Sequence, residues 1–169
     1  MTVTAERITP WSLVKETAFT TVGKEPKDSE PSSEWKRKIL KCEHSPIRTL
    51  MFVLRFRDLP YFVSVHLVRH KIGVEHFVRS QRTDRSDSGA SRHDLPQDAP
   101  VEHTMVLNAA AIIFMSRRRL CNQASAETRE AWGKAVQALR DIGEVELADA
   151  CVPECVYRGE CPEMKPCHS

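Results

Sequence analysis

The chain has 169 residues, 41% hydrophobic and 28% charged, and a formal net charge of +2. That length supports one domain with a full core, and the composition is ordinary for a globular protein. No stretch approaches the roughly 20 apolar residues of a membrane span, and so small a net charge makes any basic cluster a local feature.

The N-terminus, M-T-V-T-A-E-R-I-T-P, lacks a basic region followed by an apolar run. No secretory signal is therefore expected, and a cytoplasmic, reducing setting is. Residues 2–8 alternate weakly (Val3, Ala5, Ile8) and read as a short strand. Thr9 and Pro10 predict a helix start, with Thr9 as cap, Trp11, Leu13, Val14 and Ala18 as the apolar face, and Gly23 as the stop. Residues 24–33 form a polar loop, and Ser33 is expected to cap a helix ending near Pro46.

Arg48 to Arg57 is rich in β-branched and aromatic residues and predicts a central strand. Asp58 is expected to cap the next helix, with Pro60 in its first turn. On that helix Leu59, Phe62, Val63, His66, Leu67 and His70 share one face. Val74 to Gln81 reads as a strand and 83–100 as a loop. A long, mostly apolar helix is expected from Pro100 to Asn122, ending in Arg117, Arg118 and Arg119, cations that a helix C-terminus favours. Ser125 predicts the cap of a helix through Trp132, Val136, Leu139 and Ile142, and Val145–Ala150 a last short helix.

The chemistry concentrates between Arg69 and Arg82, R-H-K-I-G-V-E-H-F-V-R-S-Q-R. Arg69, Lys71, Arg79 and Arg82 stand there with His70 and His76, while Val68, Ile72, Val74, Phe77 and Val78 tie the run to a core. Such a cluster faces an anion, and the rigid guanidinium fork suits phosphate or a carbonyl-rich ring. A solvated charged strand is the bland alternative. Cys151, Cys155, Cys161 and Cys167 crowd the tail as C-x3-C-x5-C-x5-C. They are candidate zinc ligands, with free or transiently oxidised thiols as the alternative, because the usual C-x2-C knuckles are absent. Cys42 and Cys121 read as lone, partly buried thiols. The chain thus divides into a domain over 1–150 and a Cys-rich tail over 151–169.

The run at Arg69–Arg82 resembles the signature R-H-R-x-x-S-x-N-x-x-S-x-R of the flavin-dependent thymidylate synthase (ThyX) family. Arg69 and His70 match, Lys71 replaces an arginine, and Ser80-Gln81-Arg82 matches after one inserted residue. The first serine falls on Val74 and the asparagine on His76. His44-Ser45-Pro46 resembles the family's upstream H-x-S-P-type loop, and Ser91–Pro96 its A-R-x-x-L-P. Ala124–Arg129 resembles A-Q-x-E-x-R, and Asn108-Ala109 followed by Arg119 resembles its N-A-R helix. The resemblance spans roughly residues 40–132. A short segment between Arg82 and Arg92 and the added tail mark a compact, divergent, phage-type branch, acting in the host cytoplasm if phage-encoded.

The resemblance implies an α/β fold, a twisted central β-sheet flanked by helices, assembled as a homotetramer with sites at subunit contacts. It implies methylation of dUMP to dTMP with FAD, NADPH and methylenetetrahydrofolate, where the flavin carries the hard chemistry. In that reading Arg129 is catalytic, placing charge-stabilising donors on the uracil ring. His66, Arg69, Ser80, Gln81, Arg82 and Arg92 join it on dUMP. His44, Ser45, Arg69, His70, Lys71, His76 and Arg119 face FAD and folate. Pairing of Arg129 with Glu127 or Glu130 is the plain alternative. Two rival functions stand beside this one: another flavin-dependent C5 modification such as hydroxymethylation, and a non-enzymatic zinc-bearing nucleic-acid binder. No stable nucleic-acid partner is expected, because few aromatics interleave with the basic residues.

Overall fold

Alternation of half-buried and exposed residues along the first strand sets the edge of the sheet. The computed structural model describes residues 1–26, 30–85 and 91–167. Parts of the loops expected at 24–33 and 83–100 lie outside the described residues, as does the end of the tail. Strand β1 (Thr2–Arg7) pairs antiparallel with β2 (Met51–Pro60), which pairs with β4 (Pro100–Asn108), which pairs with β3 (Val74–Val78). The sheet order is β1-β2-β4-β3, so β2 is central as expected and the sheet is antiparallel throughout.

The helices are α1 (Trp11–Thr20), α2 (Ser33–Cys42), α3 (Tyr61–Leu67), α4 (Ala109–Arg119), α5 (Ala126–Asp141), α6 (Val145–Ala150) and α7 (Glu154–Arg158). Helix α5 packs on β1, and α3 on β2 and β4. Phe52, Leu54 and Phe56 of β2 and Met105 and Leu107 of β4 are fully enclosed between these layers. Two tryptophans anchor the core, each with its indole N–H satisfied. Trp11 Nε1 donates to Glu144 Oε2 at 2.9 Å, and Trp132 Nε1 donates to Ser116 Oγ at 2.8 Å.

Several expectations change: Leu59 lies in β2 and His70 beyond the end of α3, so neither belongs to that helix face. The long helix from Pro100 splits into β4 and α4, because burial alternates through Val101, His103, Met105 and Leu107. Asn108 marks the break, its side chain accepting from the Ala111 N–H. Asp58 caps nothing. It sits at φ +55 in a bulge between Phe56 and Leu59, after which β2 resumes pairing with β4 through Leu59↔Val101. Thr9 is no helix cap either: its hydroxyl donates to the Thr49 carbonyl and accepts from the Met51 N–H. Ser32 rather than Ser33 caps α2, accepting from the Trp35 N–H.

Candidate functional site

Helix α3 stops at Leu67, and its chain turns through Arg69–Gly73 before entering β3. Gly73 is required there. Its φ is +73, and a Cβ would lie 2.6 Å from Asn108 Nδ2. Across the gap stands the first half of α4. The two walls enclose a cleft of about 610 Å³. Arg48, Arg69, Lys71 and Glu43 rim it, and Ile72, Ala110, Ala111, Phe114 and Met115 give it an apolar wall.

Cationic and imidazole side chains crowd around His70 at this cleft. Arg119 Nε donates to His70 Nε2 at 2.9 Å, which makes His70 an acceptor at that nitrogen. Burial, then the charges of Arg119, His76 and Arg118, push the His70 pKa down to about 4. His66 is also lowered, by burial and then by Arg69 and Arg119. Burial and then Arg69 and Arg118 hold Arg119 itself below the usual guanidinium value. A bound anion beside Arg119 would relieve the effect that its cationic neighbours have on it. Arg69, His70 and Lys71 line this cleft, Arg119 joins them through its bond to His70, and His66 lies within electrostatic reach of Arg69 and Arg119. His66 reaches α5 as well, with Nδ1 2.9 Å from Thr128 Oγ1.

A second cleft, of about 490 Å³, opens at the other end of β3. Tyr61, Ser80, Gln81, Arg82, Arg92 and His93 line it. The Arg92 N–H donates to Thr83 Oγ1 at 3.2 Å, joining two stretches that the sequence separates. Arg82 makes a two-pronged pair with Asp84, at 2.9 and 2.7 Å, between exposed partners. Ser80, Gln81, Arg82 and Arg92 therefore share one concave surface. The five residues of β3 separate the two clefts by roughly 16 Å of strand.

Other expected residues lie apart in the single chain. His44 lines a separate apolar groove with Phe19, Trp35 and Cys42, and Ser45 is exposed beside it. Arg129 donates through one terminal nitrogen to the carbonyls of Asn122 (3.1 Å) and Ala124 (2.5 Å), turning towards its own loop. His76 does not face the cleft as a ligand contact. Its Nε2 lies 2.7 Å from the His70 carbonyl and its Nδ1 3.0 Å from His103 Nε2. The zinc expectation for Cys151, Cys155, Cys161 and Cys167 finds no support. Among the described residues no three His, Cys, Asp or Glu side chains gather to hold a metal. Cys151 is a core thiol whose pKa burial pushes up to about 11, and Cys167 is exposed. Cys42 is exposed and Cys121 buried, rather than both partly so.

Sequence reasoning missed Arg48, Thr128 and His103. Thr128 was within reach, since it lies inside the Ala124–Arg129 stretch. His103 was hidden by the helix expected over β4; the period-two reading would have turned it inward.

No family model matches the chain, and no curated protein matches it. Solved structures do. The flavin-dependent thymidylate synthase ThyX of Helicobacter pylori, complexed with FAD and dUMP, superposes with a TM-score of 0.71 at 15% identity, over 90% of this chain and 100% of that one. A second structure of Helicobacter pylori ThyX with FAD and dUMP gives 0.73 at 14% identity, over 89% and 99%. The UMP/dUMP methylase PolB of Streptomyces cacaoi, bound with 5-Br dUMP, gives 0.62 at 15% identity, over 88% and 94%. Among the described residues no helix is long and apolar enough to cross a membrane. The four-stranded antiparallel sheet with its flanking helices is the fold of the flavin-dependent thymidylate synthases.

Proposed function

We propose that this chain is a flavin-dependent enzyme that methylates dUMP to dTMP, using FAD with NADPH and methylenetetrahydrofolate as co-substrates. One observation carries the reading: Arg48, Arg69, His70 and Lys71 line an apolar-walled cleft, and Arg119 stands behind His70 with its Nε donating to His70 Nε2. A planar ligand with a diphosphate would use the apolar wall for its ring and Arg48, Arg69 and Lys71 for its anionic part, with Arg119 behind them through His70. FAD bound there would supply the redox chemistry.

The chain's own residues have distinct tasks. Arg82 and Arg92, with the Ser80 hydroxyl and Gln81, hold the nucleotide phosphate through charge-assisted hydrogen bonds. His70, kept neutral at physiological pH, adds no charge beside Arg119 and keeps its acceptor nitrogen on that guanidinium. Arg129 places its remaining donors on the uracil ring, where loss of a stabilising donor typically costs about 10²–10³ in rate. His44 and Ser45 serve the folate side. The roughly 16 Å between the clefts supports a homotetramer in which a neighbouring copy completes each site. Ile72 at 90% exposure, Phe77 at 61% and Phe114 at 51% flank the clefts and offer apolar surface for such a copy. Light scattering on an eluting column tests the assembly.

A second reading, C5 modification of a different pyrimidine nucleotide, draws on the similarity to a UMP/dUMP methylase. The experiment incubates the full chain with FAD, NADPH, methylenetetrahydrofolate and, separately, dUMP, UMP or dCMP. Formation of dTMP from dUMP is the expected result. A methylated or hydroxymethylated product from UMP or dCMP alone would transfer the function to the second reading. A colourless protein that turns over none of them would end both.

A further inference from the structure

Behind the first cleft lies an imidazole that no ligand reaches. His103 on β4 is fully enclosed, with the Phe56 ring 6.0 Å away. Its Nε2 contacts His76 Nδ1 at 3.0 Å, and His76 Nε2 contacts the His70 carbonyl at 2.7 Å. A carbonyl only accepts, so His76 carries a proton on Nε2. In the Nε2–H tautomer His76 offers a lone pair at Nδ1, and His103 donates to it from Nε2. This leaves His103 Nδ1 buried without a hydrogen-bond partner. Buried polar atoms are rarely left so, which singles out what the other nitrogen does.

What it supports is a turn with little packing of its own. Arg69, Lys71 and Gly73 are exposed, and Ile72 is 90% exposed. Two backbone bonds hold its ends: the His70 N–H donates to the Leu67 carbonyl at 3.1 Å, and the Asn108 N–H to the Gly73 carbonyl at 3.0 Å. Between them, His76 grips the His70 carbonyl. Among the described residues, the titratable and charged groups facing the pair are His70 from the turn, with Arg119 and Arg118 from α4 beside it. Phe56 from β2 carries no charge.

We propose that His103 is a positioning residue: acting through His76, it fixes the His70 carbonyl and so the orientation of the cationic turn Arg69–Gly73 over the cleft. The inference deepens the flavin reading of that cleft, but only its ligand-binding arm rests on it.

The test compares His103→Gln, whose side-chain amide keeps an N–H near the original Nε2, with His103→Leu, which has none. His76→Phe breaks the same link from the other end at a less buried position, should the leucine variant not fold. In the full chain without ligand, amide hydrogen exchange at His70–Gly73 is expected to rise about tenfold in His103→Leu and His76→Phe, the loss of one ordinary hydrogen bond. In His103→Gln it stays near wild type, and β2 and α5 exchange alike in all variants. Nitrogen shifts of the imidazoles report His76 as the Nε2–H tautomer in wild type and in His103→Gln. FAD affinity, read by fluorescence quenching, falls about tenfold in step with the exchange. Wild-type exchange at His70–Gly73 in both breaking variants, or equal loss throughout the chain, overturns the proposal. Failure of the wild-type protein to bind FAD overturns the flavin reading instead, and the exchange pattern still decides the role of His103.

Discussion

Acidification from about pH 7 to about pH 4 probes the buried imidazoles directly. Burial and then His76 bring the His103 pKa from 6.5 to about 4, and His70 falls as far through burial and Arg119. Both folded values lie below the unfolded one, so the unfolded chain binds protons in this window that the folded chain refuses. Stability is therefore complete above 6.5, declines as the pH drops through that value, and stops declining on this account below about 4. For enclosed His103 the gap from 6.5 to about 4, at about 1.36 kcal/mol per tenfold change in proton affinity, is on the order of 3 kcal/mol. His70 is partly exposed, and solvent screening leaves it about 1 kcal/mol. Against a typical total of about 5–15 kcal/mol this is a large share. Urea denaturation at stepped pH measures it, with His103→Gln as the non-titrating control. Carboxylates that protonate at the low end affect both proteins and cancel in the difference. The reasoning fails if wild type and His103→Gln lose stability with the same slope across the window.

Gly73→Ala should cost about 1–3 kcal/mol, because it combines a φ of +73 with a Cβ 2.6 Å from Asn108 Nδ2; a melting temperature equal to wild type would contradict the close approach. Ser116→Ala removes the acceptor of the Trp132 indole N–H and is expected to cost about 1–3 kcal/mol in denaturant titration. Arg92→Ala should weaken nucleotide binding about tenfold or more, measured by calorimetry, while leaving the melting temperature near wild type, since the residue is exposed. Unchanged nucleotide affinity would remove Arg92 from the phosphate site.

Local signals were legible and tertiary ones were not. Ser125 announced α5 because a cap is a contact within one turn: its hydroxyl accepts from the Thr128 N–H at 3.3 Å. Strand β2 was readable from its own β-branched and aromatic run. Strand β4 was not, because no glycine or proline separates it from Ala109–Met115, and the helix-forming half masked the alternating half. Asn108 is the local clue to the break, a residue that serves equally as a helix cap and as part of the resembled N-A-R motif. The two clefts follow the same division. Ser80, Gln81 and Arg82 come in sequence, and Arg92 joins them across a short loop. Arg129 and His44 were placed by family resemblance, which says nothing about where one chain's sheet leaves them. The single chain turns both away from the clefts.

Two of the departures from the resembled signature, Val74 and His76 in β3, have one physical explanation. Val74 is 5% exposed and pairs in register with Leu107, so position 74 faces the core and not a ligand. A serine there would bury a hydroxyl against leucine at a cost. Position 76 is spent as well, since His76 uses both ring nitrogens on His103 and the His70 carbonyl. With the ends of that alternation committed inward, the residues left to line the cleft from this turn are Arg69, His70 and Lys71, just before β3. If the proposed FAD site is this cleft, its affinity is expected to be dominated by charge and to weaken steeply as salt screens it over about a Debye length of 10 Å at 0.1 M. An affinity for FAD that salt leaves unchanged would mean the apolar wall of Ala110, Ala111 and Phe114, not the cationic turn, holds the ligand.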